Sequence, residues 1–314
     1  MRTAGLTKIS QRHAVSEALR IEMGRDPNVI CIGAGGFLSP VIDGLDRVFG
    51  EDRILSLGAA ERTVVGMAVG MALEGSTPVC ELSAAELPSR GLDQLAEAAE
   101  LHHREGIPVP IVVRLRCGPA AADGASDPEG WLLSIQGLSV VAPATPADAK
   151  GLLASAVRDP GPVCFLEHAD LYEQIDAVPE GGHAVPIGEA RLVGEGARAV
   201  VIAYGPAVGP AIRAANELRG RIAVLDLRTL APLDRGGILD VVRRSGKVLL
   251  VEETPSFSAV SRLVTATVWD GAFEYLDAPL RRVSLAAAGG EGHEAREAAR
   301  AATIKEACGE LLSY

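Results

Sequence analysis

Ile54-Leu-Ser-Leu-Gly-Ala-Ala-Glu61-Arg-Thr-Val-Val-Gly66-Met-Ala-Val-Gly70-Met-Ala-Leu-Glu-Gly75 reads as a strand, a turn and a helix in succession. From Val64 to Leu73 the helix is almost entirely small and aliphatic, so it is expected to be buried on all sides. Gly66 and Gly70, four apart, allow a second backbone to approach closely. Glu61 opens this helix, and a carboxylate at an apolar helix mouth is poorly solvated, which raises its pKa toward neutrality and makes it a proton donor and acceptor. The helix dipole by itself also favours a glutamate in a first turn, so context has to choose between the two readings.

The same rhythm repeats outward. Apolar runs at Val29 to Ile32, Ile54 to Leu57, Val79 to Leu82, Val109 to Val113, Ser139 to Ala142 and Val163 to Leu166 alternate with helical patterns. Such alternation specifies a parallel sheet covered on both faces. A polar, Gly-rich break over Glu173 to Gly182 interrupts it, and the pattern restarts at Ala199 to Ala203, Ile222 to Leu225 and Lys247 to Val251. Two doubly wound α/β domains are therefore expected, residues 1–184 and 185–314, and 314 residues exceed the usual single core. In the stretch from Ala286 to Ala302 a loop should lead into a last helix from Glu297 to Leu312, with His293 at the surface.

Composition narrows the function classes. A net charge of −11 argues against nucleic acid or an anionic membrane as partner, and 4% aromatic residues argue against a base-stacking surface. Cys31, Cys80, Cys117, Cys164 and Cys308 lack metal-ligand spacing and read as buried thiols of a reducing compartment. Met1 to Ser10 has no apolar signal core, and no run reaches membrane-spanning length, so a cytoplasmic location is expected. Gly33-Ala-Gly35-Gly36 follows the first strand but opens no helix and precedes no Gly-Lys-Ser/Thr, so a tight turn explains it better than a phosphate loop, and a stand-alone nucleotide binder is excluded.

Five further segments carry a resemblance. Asp148-Ala-Lys-Gly151 through Asp159-Pro-Gly-Pro-Val-Cys-Phe-Leu-Glu167, Leu171-Tyr172, Pro186-Ile-Gly188-Glu-Ala-Arg191, Asp226-Leu-Arg228-Thr-Leu-Ala-Pro232-Leu-Asp234, and Tyr275-Leu-Asp277-Ala-Pro279 through Val283 occur in this order. Together they resemble the beta subunit of the decarboxylating component of 2-oxo acid dehydrogenases, within the transketolase-type thiamine diphosphate enzymes. The resemblance implies a pyrimidine-binding domain followed by a transketolase C-terminal domain. It also implies that Glu61 hydrogen-bonds a ring nitrogen of the cofactor's aminopyrimidine, and that the residue at Leu87 packs on the pyrimidine ring. The family's Gly-Asp-Gly signature for the magnesium diphosphate end is absent from this sequence. The resemblance thus implies thiamine diphosphate and Mg2+ held jointly with an alpha-type partner chain, in a two-alpha, two-beta tetramer, with a lipoyl or acyl carrier protein as a candidate acceptor.

Three departures from the family pattern bear on chemistry. Ala34 and Gly35 stand where the family carries an acidic pair. Leu87 replaces an aromatic residue, keeping dispersion but losing a stacking contribution of roughly 1 kcal/mol, and it reads equally as a core leucine. The segment from Cys117 to Gly130 has no histidine; Asp123-Gly124 and Asp127 instead resemble the Asp-Gly-x-Thr-His of transketolases, or serve ordinary turn chemistry. An aspartate there hydrogen-bonds a substrate hydroxyl but repels an anion. His168 ends a strand, where transketolases tend to hold a phosphate-contacting arginine, and either faces substrate or caps the strand. His102 and His103 suit a helix C-terminus without further function. The sequence therefore predicts a beta-type subunit that forms an acyl or ketol carbanion from a 2-oxo acid or ketose phosphate and passes it to an acceptor. The alternatives are a degenerate scaffold or regulatory subunit, and the carboxyl-terminal half of a split transketolase.

Overall fold

The computed structural model describes residues 5–33, 41–42, 44–57, 61–84, 87, 91–118, 128–194, 198–254, 258–286 and 293–314, with Glu61 and Arg62 described by backbone alone. The chain divides into two compact units, residues 1–187 and 188–314.

The first unit opens with β1 (Leu6–Ser10) and α1 (Gln11–Arg25). It continues through β2 (Val29–Gly33), α2 (Leu45–Phe49), β3 (Ile54–Ser56), α3 (Glu61–Leu73), β4 (Thr77–Ser83), α4 (Leu92–Glu105) and β5 (Val112–Cys117). Then follow α5 (Glu129–Leu132), β6 (Ser139–Val141), α6 (Pro146–Val157), β7 (Val163–His168) and β8 (Ile175–Pro179). Among these, β2 to β7 lie in the order β6-β7-β5-β4-β2-β3, and every pairing is parallel. One sheet face, with Cys31, Val79, Val112, Val163 and Phe165, packs against α1 and α6 to form the core. Phe165 is wholly buried, worth roughly 1.5–3 kcal/mol. Polar ties fix the same layer. Thr145 caps α6 by accepting from the Asp148 N–H at 3.2 Å. Buried Lys150 donates to the Pro179 carbonyl at 2.7 Å and pairs with Glu17 of α1 at 3.2 Å, and Arg158 holds Glu22 with two hydrogen bonds.

Local differences from the sequence reading have physical causes. The run expected over Val109 to Val113 becomes a strand only from Val112, since Pro108 and Pro110 remove ladder donors just before it. The polar break at Glu173 to Gly182 contains β8, which pairs antiparallel with β1 from Leu6↔Pro179 to Ser10↔Ile175. The last helix starts at His293, four residues earlier than expected, with His293 exposed. Helix α3 is not buried all round: Val64, Val65, Ala68 and Ala72 are buried, whereas Gly70 and Leu73 are exposed. An apolar helix normally has every face covered, and this side of α3 has no cover among the described residues.

In the second unit, β9 (Arg191–Val193), β10 (Ala199–Ala203), β11 (Ile222–Asp226), β13 (Val248–Glu252) and β14 (Arg281–Ser284) form a sheet ordered β14-β13-β10-β11-β9, with only β9 antiparallel among the described pairings. Helices α7 (Val208–Glu217), α8 (Arg235–Ser245), α9 (Ala259–Ala272) and α10 (His293–Leu312) accompany it, and β12 (Thr229–Ala231) follows β11. The segment Asp226 to Asp234 works as a brace. Fully buried Asp226 accepts from the Arg228 N–H at 3.2 Å and from Arg191 at 3.3 Å. Asp234 caps α8 through the Gly237 N–H at 2.8 Å and also accepts from the Ala190 N–H at 3.0 Å.

Candidate active site

From β2 the chain moves outward to β3, and from β4 it moves the opposite way to β5, so the strand order reverses between β2 and β4. Open α/β sheets bind ligands in the crevice at the carboxyl ends of strands at such a switch point. Glu61, Leu87 and His168 each follow or end a strand of this sheet at its carboxyl end. Glu61 is the first residue of α3, five residues after β3 ends; its side chain lies outside the described residues. Leu87 follows β4 and is buried at 2% exposure. Gly91 explains how it is held: a Cβ there would stand 2.9 Å from Val65 Cγ2 and 3.7 Å from Leu87 Cδ1. Gly91 thus lies close to both Leu87 and Val65, the latter one turn beyond Glu61 in α3. A Cβ on Gly66 would come within 3.1 Å of Gln94 Oε1, so the first of the two spaced glycines admits α4 of the same unit.

His168 closes β7 in register with Cys117 at the end of β5. It is 6% exposed, and its Nδ1 is buried without a hydrogen-bond partner among the described residues. Burial pulls its pKa down to about 4, so the imidazole is neutral at pH 7 and offers one donor and one acceptor rather than a charge. Asp123 and Asp127 lie outside the described residues, as do Ala34, Gly35 and Gly36. His102 and His103 end α4, where His102 Nδ1 meets the Ile107 carbonyl at 3.2 Å. All five cysteines are free and buried, and desolvation raises their thiol pKa values, to about 11 at Cys31 and about 12 at Cys80.

Sequence reasoning missed a buried ionic network beneath this edge. Arg114 of β5 forks onto Glu167 of β7, Nε to Oε1 at 2.5 Å and Nη2 to Oε2 at 2.9 Å, and reaches Glu81 of β4 at 3.3 Å. Tyr172 donates its hydroxyl to Glu167 Oε2 at 2.6 Å. Burial, then the neighbouring Glu167 carboxylate, pushes the Tyr172 hydroxyl pKa up, so it remains a donor. The signal was present: Arg114 and Arg116 interrupt an apolar run at a two-residue spacing, which places both on one sheet face.

For thiamine diphosphate, the described residues offer a buried apolar side chain suited to the ring end and no cluster of metal ligands for the diphosphate end. Leu87 is buried just after β4, and neutral His168 has a buried ring nitrogen without a partner among the described residues. Among the described residues no group of three or more His, Cys, Asp or Glu side chains is placed to hold a metal ion, and no helix is long and apolar enough to cross a membrane.

The family model "Transketolase, pyrimidine binding domain" matches residues 7–174, and "Transketolase, C-terminal domain" matches residues 188–306. The chain is 33% identical over 293 residues to "Pyruvate dehydrogenase E1 component subunit beta" of Bacillus subtilis, covering 89% of this chain and 90% of the relative. The protein of that name from Staphylococcus aureus is 33% identical over 295 residues, covering 90% and 91%. Among solved structures, "Split gene transketolase, inactive beta4 tetramer" superposes with a TM-score of 0.77 at 19% identity, covering 97% of this chain and 98% of that one. Transketolase from Leishmania mexicana gives 0.70 at 16% identity, covering 99% of this chain and 46% of the other. With both domain models in order and a third of the residues shared over nine-tenths of its length, the chain belongs to the pyruvate dehydrogenase E1 beta-subunit family of transketolase-type, thiamine diphosphate-dependent enzymes.

Proposed function

We propose that this chain is the beta-type half of a two-component enzyme that takes an acyl or ketol unit from a 2-oxo acid or a ketose phosphate and passes it to an acceptor, a lipoyl group or a carrier-protein thiol. The observation that carries the reading is the start of α3 at Glu61, beside the switch-point crevice, with Leu87 buried after β4 on the other side of that crevice. Thiamine diphosphate, when bound, supplies the electron sink for negative charge on the substrate's former carbonyl carbon. Glu61 holds and moves the proton at the aminopyrimidine ring, Leu87 wedges that ring, and His168 offers a neutral hydrogen bond to a substrate oxygen. Asp123 and Asp127 are assigned hydrogen bonds to substrate hydroxyls, as the transketolase-like sequence suggests. Mg2+ and the diphosphate are held by an alpha-type partner. The open side of α3 pairs with a second copy of this chain, giving a two-alpha, two-beta tetramer. We assign residues 1–184 to pyrimidine binding, 185–314 to the C-terminal domain, and the assembly to the cytoplasm.

A second reading, the carboxyl-terminal half of a split transketolase, is favoured by the histidine-free segment Cys117 to Gly130. Co-expression with an alpha-type chain, followed by mass spectrometry of cofactor adducts after pyruvate, a branched 2-oxo acid and xylulose 5-phosphate, separates the two. In the same complex Glu61→Gln should slow hydrogen exchange at the thiazolium carbon by about a hundredfold or more, the usual scale for a general acid or base. Equal exchange rates and no adduct from any substrate would establish the scaffold instead.

A further inference from the structure

We propose that Arg116 is the anchor for an oxyanion of the substrate, a carboxylate or a phosphate, at the rim of this crevice; the inference rests on the functional reading above.

Arg116 is the penultimate residue of β5, the strand that leads into the segment with Asp123 and Asp127. Its carbonyl accepts the Ala84 N–H at 3.0 Å, so its backbone also pins the chain leaving β4 toward Leu87. The side chain is partly buried, and its Nε is fully buried without a hydrogen-bond partner among the described residues. A guanidinium keeps its charge at any accessible pH, and leaving a buried N–H donor unmet is costly.

The obvious counter-ion is already committed. Glu167 stands directly across from Arg116 in the β5–β7 register. Both of its oxygens already accept, Oε1 from Arg114 Nε and Oε2 from Arg114 Nη2 and the Tyr172 hydroxyl, and neither accepts from Arg116. Glu81, the next carboxylate on that face, is itself 3.3 Å from Arg114. No ion pair joins Arg116 to a carboxylate among the described residues. Two arginines two residues apart on one strand are thus used differently. Arg114 closes the network beneath the sheet edge, and Arg116, one pleat nearer the crevice, has a planar fork of donors matched to a carboxylate or phosphate. His168, the other buried donor of this edge, is neutral and supplies no countercharge, so charge recognition falls to Arg116.

The test uses the full chain and the reconstituted two-component complex. Inorganic phosphate and pyruvate are titrated separately into the 15N-labelled chain at constant ionic strength set by sodium chloride, and the Arg116 Nε–H resonance is followed. A saturable shift, lost in Arg116→Gln and absent with chloride, is expected. In the complex, Arg116→Gln should raise KM for the anionic substrate by about tenfold to a hundredfold, the worth of a charge-assisted hydrogen bond, with kcat little changed. The KM of an uncharged ketol such as dihydroxyacetone should not move. Whether the effect falls on the 2-oxo acid or on the ketose phosphate identifies the source of the anion. Linear titrations in the wild type, or saturable binding that survives Arg116→Gln, overturn the proposal. A complex that turns over nothing removes the functional reading, and the titration alone then decides Arg116.

Discussion

His168 shows how one side chain at a strand end is set by burial rather than by charge. The unfolded imidazole titrates near 6.5, whereas burial lowers the folded value to about 4. The unfolded state therefore binds a proton that the folded state refuses, so the contribution is fully present above about pH 6.5 and is lost as pH falls toward 4. The slope from this residue is at most about 1.4 kcal/mol per pH unit. Chemical denaturation at stepped pH should show His168→Gln flattening the acid limb over that window; an unchanged slope would mean the ring is not held neutral. The same neutrality suits it to hydrogen-bond a carbonyl or hydroxyl, in contrast to the permanently charged Arg116 on the neighbouring strand.

At the scale of elements, the carboxyl ends of β4, β5 and β7 are bound together by Glu81, Arg114, Glu167 and Tyr172, all on one sheet face. Arg114→Met would strand two carboxylates beside the core, and breaking such a buried pair costs about 3–5 kcal/mol. Tyr172→Phe removes one hydrogen bond to a charged acceptor, about 1.5–3 kcal/mol. Because both act on Glu167, the double variant should lose less than the sum of the two, which a double-mutant cycle in urea would read directly. Strict additivity would show that the two contacts are independent. Where Arg114 and Arg116 sit was legible as a two-residue alternation, but that Arg114 takes both Glu167 oxygens was not, since register across three strands joins residues up to 86 positions apart.

At the scale of the whole molecule, the proposed assembly shares the cofactor site between chains, and one side of α3, with Gly70 and Leu73, is exposed. Alone, it should bind thiamine diphosphate weakly in calorimetry and run as a dimer in light scattering at micromolar concentration. Tight binding by the single chain, or a monomer with no larger species, would contradict the shared-site assembly.

The alternation of apolar runs with helical patterns determined the fold class, because parallel strands buried on both faces must read as short continuous apolar stretches. Glu61 at the head of an apolar helix and the separated segments from Asp148 to Val283 pointed to the family. Strand β8 escaped notice because its neighbour β1, not its own polar composition, makes it a strand. The neutrality of His168 follows from desolvation, which depends on what packs around it. That Arg116 makes no ion pair among the described residues goes with Arg114 and Tyr172 both donating to Glu167, which stands across from it. Local periodicity and spacing are properties of the chain, whereas solvent exclusion and competition for a shared partner exist only once distant segments are in contact.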